Sequence, residues 1–162
     1  MILLRTSSPV RVLGQPLPFR DICHAFPSDE RESPVSRADT SEKNLKILIT
    51  EDDETSEMLT SVLVKEFSDK ILFARTGREA IEIYRNNPDI DLILMDIQMP
   101  EMNGYEATRQ IRMLNEHVII IAQTAFGILG DRKKAIDSGC TDYMSKPISQ
   151  EKLSDLIQKH FP

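Results

Sequence analysis

The chain predicts an α/β fold, a doubly wound five-stranded parallel sheet flanked by five helices. Three observations carry that expectation. From Leu45 onward, short apolar runs alternate five times with stretches whose apolar residues recur at helical spacing. The central run, Leu92 to Met95, is apolar at every position, as in a strand buried on both faces. Residues 45–162 hold all five units, and right-handed crossovers resolve such a series into one parallel sheet.

Each element follows in order. Leu45 to Thr50 predicts the first strand, and Glu51, Asp52 and Asp53 lead into a helix whose apolar stripe is Met58, Leu59, Val62, Leu63 and Phe67. Ile71 to Ala74 is the second strand, ending near Thr76-Gly77. Ala80, Ile81 and Tyr84 mark the second helix, which Asn86-Asn87-Pro88 stops. Asp91 to Met95 is the third strand. A loop with Pro100 and Gly104 follows, then a helix carrying Ala107, Ile111 and Leu114. Val118 to Ala122 is the fourth strand, and a short charged helix from Gly130 to Ser138 ends at Gly139, a C-cap. Tyr143-Met144 is a brief fifth strand. The last helix starts at Ser149 and buries Leu153, Leu156 and Ile157.

Residues 1–44 lack this pattern. Five of the nine prolines fall there, and Ser28 to Lys43 holds no large apolar residue except Val35. Such a segment cannot bury enough surface to offset its ordering entropy. We therefore expect a disordered or weakly ordered extension over 1–44 and one domain over 45–162. The basic and acidic residues of 1–44 cancel, so the net charge of −6 belongs to the domain. That sign argues against a general nucleic-acid binder. No run approaches the roughly 20 apolar residues of a membrane span, and the start Met1-Ile2-Leu3-Leu4-Arg5 breaks off before a signal-peptide core forms. The expected setting is the cytoplasm, without membrane insertion. Cys23 and Cys140 are expected as free thiols, and nothing near His24 supports a ligand role for it.

In a parallel sheet every strand points the same way, so the residues after the strands share one edge. Glu51, Asp52 and Asp53 follow the first strand, Asp96 the third, Thr124-Ala125 the fourth and Lys146-Pro147 the fifth. Packed carboxylates repel, and a cation must neutralise them. Oxygen ligands suit Mg²⁺, and no Cys/His cluster has zinc spacing. Thr124 and Lys146 suit phosphate oxygens, one by a hydrogen bond and the other as a point charge. A carboxylate beside Mg²⁺, a lysine and a hydroxyl can form an acyl phosphate by nucleophilic attack, with Asp96 as the nucleophile. Taken singly, an acidic residue at a helix start is a cap, a Thr after a strand a turn residue, and a Lys-Pro surface. Their coincidence on one edge favours the joint reading.

At this point the sequence resembles the receiver domain of two-component response regulators, from about Lys46 to Phe161. The resemblance rests on Ile47-Leu48-Ile49-Thr50-Glu51-Asp52-Asp53, the run Leu94 to Gly104 with Asp96 and Met99-Pro100, Thr124-Ala125, and Asp142-Tyr143-Met144-Ser145-Lys146-Pro147. It implies a flavodoxin-like fold, Asp96 as phospho-acceptor, and Glu51 with Asp52 holding Mg²⁺ beside the backbone carbonyl of Gln98. It implies Thr124 as switch hydroxyl, Lys146 as phosphate-binding ammonium and Tyr143 as the aromatic that turns on activation. Asp53 is expected to cap a helix, and Lys146-Pro147 to be cis. A histidine kinase or histidine phosphotransfer protein would be the phosphodonor, and a downstream protein would bind the switched surface over the last two helix-strand units. Gln98 and Phe126 are expected to set phosphate lifetime, bulky Phe126 by hindering water.

Two rival functions stand beside this one. A haloacid-dehalogenase-like phosphatase also forms an aspartyl phosphate but needs a second Asp two residues on, where this chain has Gln98. A degenerate receiver binding without phosphorylation would lack key residues that are present here. The expectation is a phospho-accepting receiver of a phosphorelay rather than a turnover enzyme. It would be a stand-alone protein or, by the style of Met95–Gly104 and Gly139–Tyr143, part of a hybrid histidine kinase.

Overall fold

The computed structural model describes residues 44–68, 70–125 and 129–162. The expectations for residues 1–43, including Cys23 and His24, and for Phe126 lie outside them. Ten elements alternate: β1 (Lys46–Thr50), α1 (Glu54–Val64), β2 (Lys70–Ala74), α2 (Gly77–Asn86), β3 (Leu92–Asp96), α3 (Gly104–Leu114), β4 (Ile119–Thr124), α4 (Leu129–Asp137), β5 (Asp142–Ser145) and α5 (Gln150–His160). The sheet order is β2-β1-β3-β4-β5 with every pair parallel. This is the doubly wound, flavodoxin-like architecture expected from the sequence. β3 is central and buried at all five positions, which is why Leu92 to Met95 reads as an unbroken apolar run.

Side-chain alternation splits the core into two layers. Leu48, Ile93, Ile120 and Ala122 pack with Ala80, Tyr84, Ala107, Ile111 and Ala135 on the α2, α3 and α4 side. Ile47, Ile49, Leu94, Ile121 and Met144 pack with Val64, Leu153 and Ile157 on the α1 and α5 side. Helix starts are capped as their residues dictate. Asp53, Thr76, Asn103 and Ser149 each accept from a backbone N–H three residues on. Gly139, at φ +100°, follows α4 in the left-handed region that a side chain disfavours.

Two apolar faces differ from the sequence expectation. On α1 the buried positions are Thr60 and Val64, while Met58, Leu59 and Val62 are 65%, 52% and 66% exposed. The stretch is apolar on more than one side, so spacing alone could not phase it. The sheet buries the side containing Thr60. On α3, Ala107 and Ile111 are buried but Leu114 is 47% exposed, because the helix ends there against the surface. β3 and β4 also run further than their apolar cores suggested, and this brings Asp96, Gln123 and Thr124 into the sheet as its last rungs.

Candidate functional site

The chain leaves β1 outward to β2 and then crosses back to β3, so β1 and β3 form the topological switch point where open α/β sheets bind ligands. Thr50 closes β1 there. Its Oγ1 donates to the Leu94 carbonyl at 3.0 Å and accepts from the Asp96 N–H at 3.1 Å, fixing the end of β3. Beyond Asp96 the chain folds back, with the Gly104 N–H donating to the Ile97 carbonyl at 3.1 Å. The return is so close that a Cβ on Gly104 would collide with the Asp96 carbonyl oxygen. Only glycine fits this corner.

Glu51 and Asp96 are 1% and 4% exposed, whereas Asp52 faces solvent. Carboxylate oxygens of the three lie within 4.8 Å of one another. Lys146 reaches across the sheet to two of them, its Nζ donating to Glu51 Oε2 at 2.6 Å and Asp96 Oδ2 at 2.7 Å. The Lys146 N–H donates to the Thr124 carbonyl at 2.8 Å, and the Lys146-Pro147 peptide is cis, as expected. Asp96 Oδ1 accepts from the Gln98 N–H at 2.9 Å, which brings the main chain of Gln98 to the site. Asp53 caps α1 through the Ser56 N–H at 2.8 Å.

Burial pushes the Glu51 carboxyl above its ordinary value, and the neighbouring Asp96 adds to the rise against the opposing pull of Lys146. Burial would lower the Lys146 ammonium, but its hydrogen bonds to Asp96 and Glu51 outweigh that and hold it higher. Three carboxylates thus face one ammonium. This donor set is all oxygen and short of positive charge, which fits a hard divalent cation.

The raised Glu51 carboxyl has a consequence for stability. In the range above pH 4.5 up to its raised value, the folded chain keeps a proton that the unfolded chain has released. The stability contributed by that proton is full below pH 4.5 and is lost as pH rises through the folded value. Glu51→Gln is expected to melt higher than wild type at pH 7 without metal, by roughly 2–4 °C. The difference should vanish below about pH 4.5, the ordinary Glu value. A lower melting temperature at pH 7 would contradict it.

The other two site residues meet the first turn of α4. Thr124 is 6% exposed, and its hydroxyl donates to Asp131 Oδ2 at 3.4 Å. Half-buried Tyr143 carries the Arg132 guanidinium 5.8 Å from its ring centroid. Sequence reasoning missed Thr50, Gln123, Asp131 and Arg132. Thr50 and Gln123 left a signal, as the first polar residues after the apolar runs of their strands. Asp131 and Arg132 left none, because charges on a short helix ordinarily face solvent.

Three carboxylates and a lysine thus gather at the switch point of a doubly wound α/β sheet. The response regulator receiver domain matches residues 47–158. The chain belongs to that family, the receivers of two-component and phosphorelay signal transduction. It is 30% identical over 162 residues, 99% of its length, to the signal transduction histidine-protein kinase BarA of Escherichia coli K12, of which it spans 17%. The receiver domain of the Saccharomyces cerevisiae response regulator Ssk1, solved with the histidine phosphotransfer protein Ypd1, is 31% identical with a TM-score of 0.68. That likeness covers 72% of this chain and 88% of Ssk1's. The receiver domain of the sensor histidine kinase PA1611 from Pseudomonas aeruginosa, solved with magnesium in its active-site cleft, is 30% identical with a TM-score of 0.66, covering 72% and 96%.

Proposed function

We propose that residues 45–162 form a receiver whose Asp96 accepts a phosphoryl group in a Mg²⁺-dependent reaction. The observation that carries this reading is the Lys146 ammonium bridging Asp96 and Glu51 at the switch point. An Asp96 oxygen attacks phosphorus in line, the P–N bond of a phosphohistidine breaks, and the departing imidazole keeps the electron pair and takes up a proton. Glu51, Asp52, Asp96 and the Gln98 backbone carbonyl would hold Mg²⁺. The ion would neutralise charge on the transferring phosphoryl oxygens. Lys146 supplies a second positive charge to them.

Phosphorylation adds about −1.5 to −2 charges at Asp96. Thr124 would leave Asp131 for the phosphoryl oxygens, and Tyr143 would turn into the space it vacates. Asp131 and Arg132 lie in one turn of α4, so both movements bear on the same helix. That turn, with β5 and α5, is our candidate for the surface a downstream protein reads. A histidine kinase or a histidine phosphotransfer protein is the donor, by likeness to the Ssk1 receiver solved with Ypd1. The likeness to BarA and PA1611 favours a hybrid kinase as the setting. Among the described residues no helix is long and apolar enough to cross a membrane, and we assign the domain to the cytoplasm. Gln98, where a phosphatase would carry its acid/base Asp, argues against turnover of external substrates. Gln98 and Phe126 are our candidates for setting phosphate lifetime.

The test is incubation with acetyl phosphate, read on a phosphate-affinity gel. A retarded species should form with Mg²⁺, fail to form with EDTA, and carry its phosphate on the peptide containing Asp96. No retarded species, or phosphate mapped elsewhere, would overturn the reading.

A further inference from the structure

Gln123 is completely buried, yet neither its Nε2 nor its Oε1 has a hydrogen-bond partner among the described residues. An apolar side chain of that size would serve the fold better, because a buried amide left unpaired forfeits its hydration without return. Its position accounts for its presence. The strand registers pair Asp96 with Gln123 and Gln123 with Met144. Leu94, Ile121 and Met144 share the core layer under α1 and α5. Asp96 and Gln123 stand two residues beyond Leu94 and Ile121, so alternation puts both side chains on that same face. Lys146 stands two beyond Met144, and its ammonium lies on Asp96 and Glu51. Met144 is the register partner of Gln123, so to reach Asp96, in the same row as Gln123, the Lys146 stem must come back across β4 just past Gln123.

The geometry points to Gln123 as a positioning residue whose Oε1 receives the Lys146 ammonium when a divalent cation is held by Glu51, Asp52 and Asp96. This rests on the metal reading proposed above. Lys146 cannot keep its seat between Glu51 and Asp96 once a second, doubly charged cation shares those oxygens. Its Nζ carries three donors, and losing Glu51 frees one of them for a new acceptor. Gln123 stands on β4 beside Asp96, on the far side of β3 from β1 and Glu51, with a buried carbonyl that has no partner among the described residues. With Gln123 as acceptor, the ammonium stays beside Asp96, where an incoming phosphoryl group needs it.

Isothermal titration of MgCl₂ into the chain, with no phosphodonor, tests this. Gln123→Leu should weaken Mg²⁺ binding by roughly 10- to 100-fold, the value of one hydrogen bond to a charged group. In a Lys146→Met background the same substitution should change nothing, because the ammonium it serves is gone. Gln123→Met, linear like glutamine, repeats the test with a different shape. In the wild-type chain, the Gln123 side-chain amide resonances should shift on Mg²⁺ saturation and stay put in Lys146→Met. Unchanged affinity in Gln123→Leu and Gln123→Met, or an equal loss with and without Lys146, would overturn the proposal. Wild-type protein that binds no Mg²⁺ at millimolar concentration would instead remove the metal reading beneath it.

Discussion

Asp96→Asn is expected to yield no phosphorylated species with acetyl phosphate and Mg²⁺, while the protein stays folded. Asparagine has the shape of aspartate, and its carbonyl can still accept from the Gln98 N–H that now bonds Asp96 Oδ1 at 2.9 Å. Its amide nitrogen is no nucleophile, so the bond to phosphorus cannot form. The fold should gain slightly. Asp96 and Glu51 are both buried around one ammonium, and removing one negative charge relieves their repulsion while Lys146 keeps Glu51. The melting temperature should therefore equal or exceed that of wild type. A phosphate-affinity gel and a thermal melt on the same preparation check both halves. A retarded band as strong as wild type would show that the acceptor lies elsewhere, and a collapsed melt would show that Asp96 holds the fold.

Lys146→Met should act in the opposite sense on stability and the same sense on chemistry. Methionine retains most of the stem that crosses β4 but carries no charge. Breaking a buried ion pair from one side costs about 3–5 kcal/mol. The Lys146 side chain is 24% exposed, so the lower end applies. Glu51 and Asp96 then face each other with no cation between them. Mg²⁺ would meet no competing ammonium there and should bind more tightly than in wild type. It should also raise the melting temperature by more. Phosphorylation by acetyl phosphate should slow by about 10²–10³, the usual loss when one charge-stabilising donor is removed from a transition state. Stopped-flow or timed gel assays at saturating Mg²⁺ read the rate. A rate within threefold of wild type would mean that Lys146 serves only to neutralise the resting site.

Much of this was legible beforehand because the residues concerned obey local rules. Asp53 caps α1 and Gly139 follows α4 because capping depends on a few backbone groups close in sequence. β3 could be found because a strand buried on both faces cannot disguise itself. The site residues were legible for a related reason. In a parallel sheet, strand ends share an edge, so topology alone gathers Glu51, Asp96, Thr124 and Lys146. The phasing of α1 was not legible, because Met58, Leu59 and Val62 are as apolar as a core stripe and only the sheet's surface decides between them.

By itself, then, the sequence determined the order of elements, the parallel sheet and which side chains stand at its active edge, since these depend on period, caps and the handedness of crossovers. Only the tertiary structure decided how those side chains meet. That Lys146 sits on both Glu51 and Asp96, that Thr124 donates to Asp131 and that Gln123 is buried unpaired all depend on distances between strands and helices far apart in the chain. Sequence spacing records which face a residue takes, and packing alone sets what it finds there.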